Sequence, residues 1–418
     1  MSKILIVGNH CCSNRGDAAI LRGLLDYLEE KYPGNEVVFT SRYEDGAKWF
    51  FKEEVLKDSL AEANAKLGGI RGRIKSVLIS KIIFPMYCSN KITNKRFLPE
   101  AYNEFAKKLS KYDLVIQVGG SFFVDLYGPS QFEAAAICIK ENVPIVMLGH
   151  SVGPFKINNT SKLAQEIFEK CNALVLREKI SEQHLYEVGL TKESFFSGAD
   201  TAWLINPDKY KEQKEIFNSE KIFCKPCIAI TMRELKPFDK RLGITQEDYE
   251  QKMASLCVYL IQQGYNVVAA STCTGLESYH RDDRMCALRV ARLVNQPSNY
   301  FTIMDELTDV ELGQLFSKCE LTIGTRLHSA ILSMRFGTPA FAIYYEHKSL
   351  GILEQINMSD CSIPIHDIDS EKFKNEIKNK LLHIDIEVDR VSDNVNREAE
   401  HCKKIMNEIL DPFLAKSN

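Results

Sequence analysis

Residues 3–28 read KILIVGNHCCSNRGDAAILRGLLDYL, which is an apolar run, a polar loop and then a helical pattern. Ile4 to Gly8 is typical of a buried β-strand. The helical pattern places five apolar side chains on one face: Ile20, Leu21, Leu24, Leu25 and Leu28. Asp17 stands just before that face and is interpreted as the helix N-cap. A strand that leads through a loop into an amphipathic helix predicts the first unit of a parallel α/β sheet.

The same alternation of apolar runs and helical patterns continues through most of the chain. In the first half the further runs are Val37 to Ser41, Leu114 to Val118, Ile145 to Gly149 and Ala173 to Leu176. A polar, lysine-rich stretch at 206–225 is the predicted linker. The pattern then restarts with Cys227 to Thr231, Asn266 to Ser271, Tyr300 to Met304, Leu321 to Gly324 and Pro339 to Tyr344. Helical patterns at 245–263, 308–318 and 327–336 separate these runs.

This alternation predicts an α/β fold with two doubly wound, Rossmann-like domains that face a cleft. We expect the first domain over residues 1–205 and the second over residues 226–392. Residues 393–418 are expected to form a C-terminal helix that packs back on the first domain. At 418 residues the chain has room for two domains of about 200 residues each.

Composition and charge argue against several classes of protein. A content of 45% hydrophobic and 26% charged residues is that of a soluble globular protein, and a net charge of -3 gives no indication of nucleic-acid binding. No window approaches the roughly 18 uncharged apolar residues of a membrane span. The start MSKILIVGNH predicts a first strand rather than a signal peptide, so we expect the 13 cysteines to be reduced thiols in a cytoplasm.

One basic stretch interrupts the alternation. Residues 66–96 carry eight basic side chains and no acidic one, and they contain the apolar segment Val77 to Tyr87. A basic, amphipathic segment predicts peripheral contact with the anionic inner face of the cytoplasmic membrane, or with a diphosphate-bearing lipid. A solvated helical hairpin that caps the first domain is the other interpretation, and the residue pattern does not separate the two.

Polar residues at the carboxyl ends of predicted strands mark the candidate site, because ligands of open α/β sheets gather there. In the first half these residues are the loop from Asn9 to Asp17, Gly119-Gly120-Ser121, His150 and Arg177. The paired glycines predict either the close approach of a ligand to the backbone or a tight turn. An arginine such as Arg177 fits a capping role as well as an anion contact.

The second half carries a more specific pattern. Gly324 to Ser329 leaves a strand and enters a helix, whose N-terminal amides favour an anion, and Arg326 adds a bidentate fork for phosphate or carboxylate. His328 can carry a proton at neutral pH, and a core histidine is the alternative. Further polar side chains follow other strands or lie in loops: Arg233, His280 and the run Tyr345-Glu346-His347-Lys348.

Five motifs in this order resemble the polysaccharide pyruvyl transferase family. They are Asn14-x-Gly16-Asp17-Ala18-x-Ile20, Gly119-Gly120-Ser121, Gly149-His150-Ser151-Val152-Gly153-Pro154, Gly198-Ala199-Asp200-Thr201-Ala202 and Thr325-Arg326-Leu327-His328-Ser329-Ala330. The strings at 116–128, 237–243 and 345–349 are similar to the colanic-acid-type branch of that family. The resemblance extends over most of the chain.

The resemblance implies a glycosyltransferase-B-like fold and the transfer of a pyruvyl group from phosphoenolpyruvate to a hexose, commonly galactose as a 4,6-ketal. It implies an acceptor oligosaccharide on undecaprenyl diphosphate, in capsular or exopolysaccharide biosynthesis, and such a carrier suits the basic stretch 66–96. It implies that the second domain, residues 226–392, binds the donor and that the first domain, residues 1–205, binds the acceptor. The family's functional positions correspond to Arg326, His328, His150 and Arg177.

The implied reaction suits these residue types. Phosphoenolpyruvate carries a phosphate and a carboxylate, so we expect Arg326 to hold one anion. Three candidates remain for the other anion: Arg177, Arg233 and Lys348. His328 is the expected general acid, and Asp17 or His150 is the expected acceptor of hydroxyl protons. Six further residues are expected to contact the acceptor or to line the cleft: Asn14, Gly119, Gly120, Ser121, His280 and His347. We expect neither a metal nor a cofactor.

Two other functions fit the same sequence. A nucleotide-sugar-dependent glycosyltransferase uses the same scaffold, and stabilisation by a nucleotide would identify it. A non-catalytic component of a polysaccharide assembly complex would be expected to have a degraded cleft, whereas Arg326, His328, His150 and Asp17 are all present.

Overall fold

Two parallel β-sheets organise the chain, which confirms the predicted α/β class. The computed structural model describes residues 1–65, 78–89, 96, 98–212, 214–236, 242–277, 279–345 and 347–415. Spatial proximity groups the chain into unit 1, which comprises Met1–Cys11, Leu24–Thr201 and His401–Asn418, and unit 2, which comprises Cys12–Gly23 and Ala202–Glu400. The predicted linker at 206–225 and the loop at 12–23 therefore belong to unit 2. The predicted domain limits 1–205 and 226–392 stay predictions.

Unit 1 is built on a parallel sheet with the strand order β3-β2-β1-β4-β6-β7-β8, and β5 pairs with β6 beside this path. The strands are β1 Lys3–Asn9, β2 Glu36–Ser41, β3 Glu54–Lys57, β4 Leu114–Gln117, β5 Gly120–Phe123, β6 Ile145–Val152, β7 Ala173–Leu176 and β8 Phe196–Ser197. The helices between them are α1 Arg15–Lys31, α2 Glu44–Phe50, α3 Ser59–Ala65, α4 Phe84–Cys88, α5 Glu100–Leu109, α6 Glu133–Lys140, α7 Asn158–Lys170 and α8 Lys179–Glu187. Strand residues such as Val115 and helix residues such as Phe105 and Phe168 share one buried cluster.

Unit 2 has a second parallel sheet with the order β11-β10-β9-β12-β13-β14. Its strands are β9 Cys227–Thr231, β10 Asn266–Ala270, β11 Tyr300–Thr302, β12 Leu321–Gly324, β13 Ala340–Tyr344 and β14 Ser362–Pro364. Its helices are α9 Ser219–Ile222, α10 Gln246–Gln262, α11 Arg284–Val294, α12 Asp309–Phe316, α13 Leu327–Arg335, α14 His347–Gln355, α15 Glu371–Leu382 and α16 Ile384–Leu414. Since the sheet is doubly wound, its topological switch point lies between β9 and β12.

The ten apolar runs predicted as strands all form strands, and the pattern missed four others. The missed strands β3, β5, β8 and β14 are two to four residues long, and within each of them at most two apolar residues are consecutive. The long helix α16 begins earlier than the predicted helix at 393–418. Within unit 1 its last turns contact α1, because Tyr27 donates to Asn407 at 2.7 Å and Tyr32 donates to Asp411 at 2.8 Å.

The basic stretch 66–96 is only partly described. Residues 66–77 and 90–95 lie outside the described residues, and with them most of the charges that the membrane interpretation uses. The described part is a continuous helical segment, with π-helical Ile79–Ile83 leading directly into α4. Among the described residues, no helix combines the length and the apolar character that crossing a membrane would require.

Candidate active site

The carboxyl ends of the unit 2 strands bring several predicted residues to the switch point of the sheet. Arg233 follows β9, and Arg326 and His328 follow β12, which pairs directly with β9. The connections from these strands leave in opposite directions at a switch point, which opens a crevice at the sheet edge. Thr231 and Ser329 join the two strand ends through a hydroxyl hydrogen bond of 2.9 Å. This edge is the best-formed candidate site of unit 2.

The Arg326 side chain is held by a residue that the sequence did not single out. Its Nε and Nη2 donate to the two carboxylate oxygens of Asp283 at 2.6 and 3.1 Å, and the Asp283 side chain is buried. Burial by itself lowers the pKa of Arg326, but the Asp283 carboxylate more than offsets this and raises the pKa above its ordinary value. The bidentate pair therefore fixes the guanidinium plane through Nε and Nη2.

Arg233 is the second cation at this edge. Its guanidinium lies 4.7 Å from the ring centroid of Tyr345 and also donates to the Tyr345 hydroxyl. Its Nε is buried without a hydrogen-bond partner. Burial, followed by the nearby charge of Arg326, lowers the pKa of Arg233 to about 10, so the side chain stays cationic at neutral pH. Two guanidinium groups, one of them with an unpaired buried Nε, make this edge suitable for an anionic ligand.

His328 lies in the first turn of α13 and contacts the start of α1. A Cβ atom added to Gly16 would lie 2.7 Å from Nδ1 and 2.9 Å from Cγ of His328, so only a glycine at position 16 lets the imidazole approach this closely. The predicted N-cap role of Asp17 is wrong. The helix begins at Arg15, and Asn14 accepts the Gly16 amide at 3.2 Å, which leaves Asp17 in the first turn.

The loop before α1 is anchored in unit 2 by further contacts that the sequence did not reveal. Asn14 forms an antiparallel bridge with Cys273, and the Arg15 amide donates to the Thr272 carbonyl at 2.7 Å. The fully buried Arg15 side chain donates to the carbonyls of Leu307 at 2.6 Å and Ser13 at 2.7 Å and pairs with Glu306. These bonds fix Gly16 beside His328. A buried arginine at a helix start gives no sequence signal that separates it from a solvent-exposed one.

The predicted residues of unit 1 form a separate network around Arg177. Its guanidinium donates to Ser151 at 2.8 Å, to Asp200 at 2.6 Å and to Ser121 at 2.6 Å. Both members of the Arg177–Asp200 pair are almost fully buried. The network therefore ties together the ends of β6 and β7 and the start of β5. The anion-binding role expected of Arg177 stays a prediction.

His150 belongs to the same part of unit 1 and is 1% exposed. Its Nε2 lies 3.1 Å from the Gln117 carbonyl, which makes Nε2–H the donor and leaves the buried Nδ1 without a partner. Burial lowers the pKa of His150 to about 4, with a smaller contribution from Arg177, so the ring is neutral at pH 7. Gly120 pairs with His150 across the sheet, and a Cβ on Gly119 would lie 2.5 Å from the Gly149 carbonyl oxygen. Gly119 thus serves a close backbone approach, whereas a Cβ on Gly120 would lie 2.6 Å from the ring of Phe122.

Three predicted site residues remain to be placed: His280, His347 and Lys348. His280 lies in an exposed loop. His347 and Lys348 do not end the strand β13 but start helix α14, and their side chains lie outside the part of the chain that the structure describes. Among the described residues, no group of three or more His, Cys, Asp or Glu side chains is arranged to hold a metal ion.

Comparison with solved structures supports the predicted glycosyltransferase-B-like fold. The chain is similar to the UDP-GlcNAc 2-epimerase of Neisseria meningitidis, with a TM-score of 0.60, 10% identity, and coverage of 98% of this chain and 99% of that one. HepE of Anabaena, solved with UDP and glucose, gives a TM-score of 0.58 with 12% identity, over 99% of this chain and 100% of that one. At these identities the likeness shows the fold alone.

Comparison of sequences is more specific. The chain is 44% identical over 368 residues to the amylovoran biosynthesis protein AmsJ of Erwinia amylovora, which covers 88% of this chain and 89% of that protein. The model of the polysaccharide pyruvyl transferase family matches residues 14–347, a span that runs from Asn14 of the α1 loop through Arg326 and His328 to His347. The chain therefore belongs to the polysaccharide pyruvyl transferase family.

Proposed function

We propose that this chain transfers a pyruvyl group from phosphoenolpyruvate to two hydroxyls of a hexose, with release of phosphate. The observation that carries the proposal is the pair of cationic side chains, Arg326 and Arg233, at the switch point of unit 2, with His328 two residues beyond Arg326. Family membership supports a transferase of this class.

The charge of the site matches the donor. Phosphoenolpyruvate carries a carboxylate and a phosphate that are both attached to C2, so a site needs at least two cations and a fixed geometry. Arg326, whose guanidinium plane is fixed by Asp283, binds one anion, and Arg233 binds the other. Lys348 and Arg177 stay as further candidates for the second anion.

The reaction needs a proton donor and a proton acceptor in addition to these cations. His328 donates a proton to C3 of the enol, which makes C2 electrophilic, and one hydroxyl of the sugar adds to C2 while it loses its proton to Asp17. The C2–O bond to phosphate then breaks, and phosphate leaves with the bonding electron pair. The second hydroxyl adds to C2, loses its proton and closes the ketal. Proton transfers by positioned side chains contribute about 10²–10⁴-fold in rate.

The acceptor is a hexose of a lipid-linked oligosaccharide in exopolysaccharide or capsule assembly, with galactose bridged at O4 and O6. The support for this choice is the 44% identity to an amylovoran biosynthesis protein. The protein would then act in the cytoplasm at the inner face of the membrane, on undecaprenyl diphosphate as the carrier.

A thermal-shift series tests the donor assignment. Phosphoenolpyruvate at about 100 times its dissociation constant should stabilise the folded protein by about 2.7 kcal/mol, and pyruvate or phosphate alone should stabilise it less. Arg326→Ala should abolish this shift. The matched control Arg390→Ala, which removes an arginine that pairs with Asp360 elsewhere in unit 2, should keep it.

Turnover completes the test. Release of phosphate from phosphoenolpyruvate should depend on the sugar acceptor and should fall at least a hundredfold in His328→Ala. Near-normal turnover in His328→Ala would refute the assignment of the general acid. Stabilisation by a nucleotide sugar and not by phosphoenolpyruvate would refute the donor and favour a glycosyltransferase on the same scaffold.

A further inference from the structure

The loop that follows β9 carries Arg233, and three side chains of unit 2 hold its backbone. Three consecutive amides of the loop each donate to a different side chain. The amides of Arg233, Glu234 and Leu235 donate to the Tyr249 hydroxyl at 3.4 Å, to Asp283 Oδ1 at 3.3 Å and to Gln246 Oε1 at 2.6 Å. Because each amide has a partner at a defined position, the path of the loop is fixed.

Tyr249 also reaches the end of β12, the strand beside β9. The ladder between these two strands ends with Thr231 opposite Gly324. Beyond it, the Tyr249 hydroxyl lies 2.7 Å from Oγ1 of Thr325, the residue directly before Arg326. A single phenol oxygen therefore joins the two segments that carry the cationic side chains, just past the end of their ladder.

The Tyr249 ring is itself held in one place. It is 0% exposed and belongs to the buried cluster of unit 2, together with Met253 and Leu256 of the same helix α10. Burial raises the pKa of Tyr249 well above its ordinary value, so the hydroxyl keeps its proton. A protonated hydroxyl can accept one hydrogen bond and donate another, and it can therefore serve both segments at once.

We propose that Tyr249 is a positioning residue that sets the separation of the Arg233 and Arg326 guanidinium groups. The inference rests on the proposed function, in which these two arginines bind the two anionic groups of phosphoenolpyruvate. Both groups are attached to C2, so the distance between them is fixed, and the two cations must match it. Tyr249 acts through the backbone of one arginine and through the residue next to the other.

The two arginines need such a connection because their charges repel. Burial, followed by the charge of Arg326, lowers the pKa of Arg233 to about 10, which places the two guanidinium groups within electrostatic reach of each other. Repulsion pushes the two segments apart until an anion binds between the cations. A hydrogen-bonded connection through Tyr249 opposes this movement, so the site is already arranged for its ligand, which reduces the cost of binding.

Titration of the purified full-length protein, followed by thermal shift, tests this role. Tyr249→Phe keeps the ring and deletes only the hydroxyl. It should raise the dissociation constant for phosphoenolpyruvate about fivefold or more. The dissociation constant for inorganic phosphate, which carries one anionic group, should change less than about twofold. Thr325→Val removes the other end of the 2.7 Å bond and should act in the same direction, and it carries the test alone if Tyr249→Phe does not fold.

Tyr300→Phe is the matched control. Tyr300 is 6% exposed, lies in the same unit and donates its hydroxyl to the Ala287 carbonyl at 3.0 Å. Loss of this hydroxyl should lower the melting temperature about as much as Tyr249→Phe does, and it should leave binding of phosphoenolpyruvate unchanged. In turnover, Tyr249→Phe should raise KM and keep kcat within about threefold of the wild type, because the lost bond orients binding groups and not the proposed general acid.

Three results would overturn the positioning role. They are unchanged binding of phosphoenolpyruvate in Tyr249→Phe, an equal loss of phosphate binding in that variant, and an equal loss of phosphoenolpyruvate binding in Tyr300→Phe. Failure of the proposed function gives a different result. If UDP-glucose binds the wild type and phosphoenolpyruvate does not, the donor assignment is wrong, and titration of the same variants with UDP-glucose decides the role of Tyr249. Binding of neither ligand to the wild type refutes the anion site and the role of Tyr249 with it.

Discussion

Replacement of Gly16 by alanine should inactivate the protein while leaving it folded. The new Cβ would lie 2.7 and 2.9 Å from Nδ1 and Cγ of His328, whereas non-bonded carbon atoms prefer about 3.5–4.0 Å. The imidazole must therefore move by roughly 1 Å, or the first turn of α1 must move away from it. A displacement of about 1 Å at a reacting group can cost about 10²-fold in rate, which corresponds to about 2.7 kcal/mol in the activation barrier.

The stability of Gly16→Ala should change little. Overpacking costs about 1–3 kcal/mol, and the higher helix propensity of alanine offsets about 1 kcal/mol of it. The assay is acceptor-dependent release of phosphate from phosphoenolpyruvate, with a thermal melt of the same sample. Gly275→Ala is the matched control, since its Cβ would meet only ordinary contacts of 3.4 Å and longer. Turnover within threefold of the wild type in Gly16→Ala would refute the reasoning that His328 acts from its observed position.

Asp283→Asn should raise the KM for phosphoenolpyruvate about tenfold or more, with a smaller change in kcat, because the Arg326 fork loses its charged partner. Adding Arg326→Ala should make the double variant no worse than Arg326→Ala alone, and additive losses would contradict a positioning role. His150→Gln should flatten the pH dependence of stability. Burial holds the pKa of His150 at about 4, below about 6.5 in the unfolded chain, so the wild type loses about 2 kcal/mol of unfolding free energy between pH 7 and pH 5 through this group. Denaturant unfolding at both pH values measures the difference, and an equal loss in the variant would contradict it.

The candidate site was predictable where its residues belong to a local pattern. Arg326 and His328 stand in a strand-to-helix turn, and the end of β12 places them at the sheet edge as that turn predicts. Lys348 shows the limit of the same argument. It follows β13 in sequence, but it belongs to helix α14 instead of ending the strand. The first residue of a helix can move by one or two positions without altering the spacing of its apolar side chains, so the sequence pattern does not locate this boundary.

The local sequence pattern alone determined the α/β class, ten of the strands in the described residues and the position of the basic stretch at 66–96. Each of these properties depends on neighbouring residues, whose side chains repeat with the period of a strand or a helix. Only the tertiary structure decided that Asp283 holds Arg326, that Gly16 makes room for His328, and that His150 is buried. The pairs Asp283–Arg326 and Gly16–His328 are far apart in the sequence and meet only in the folded chain. No repeat in the local sequence predicts such a contact, since the contact arises from packing in three dimensions.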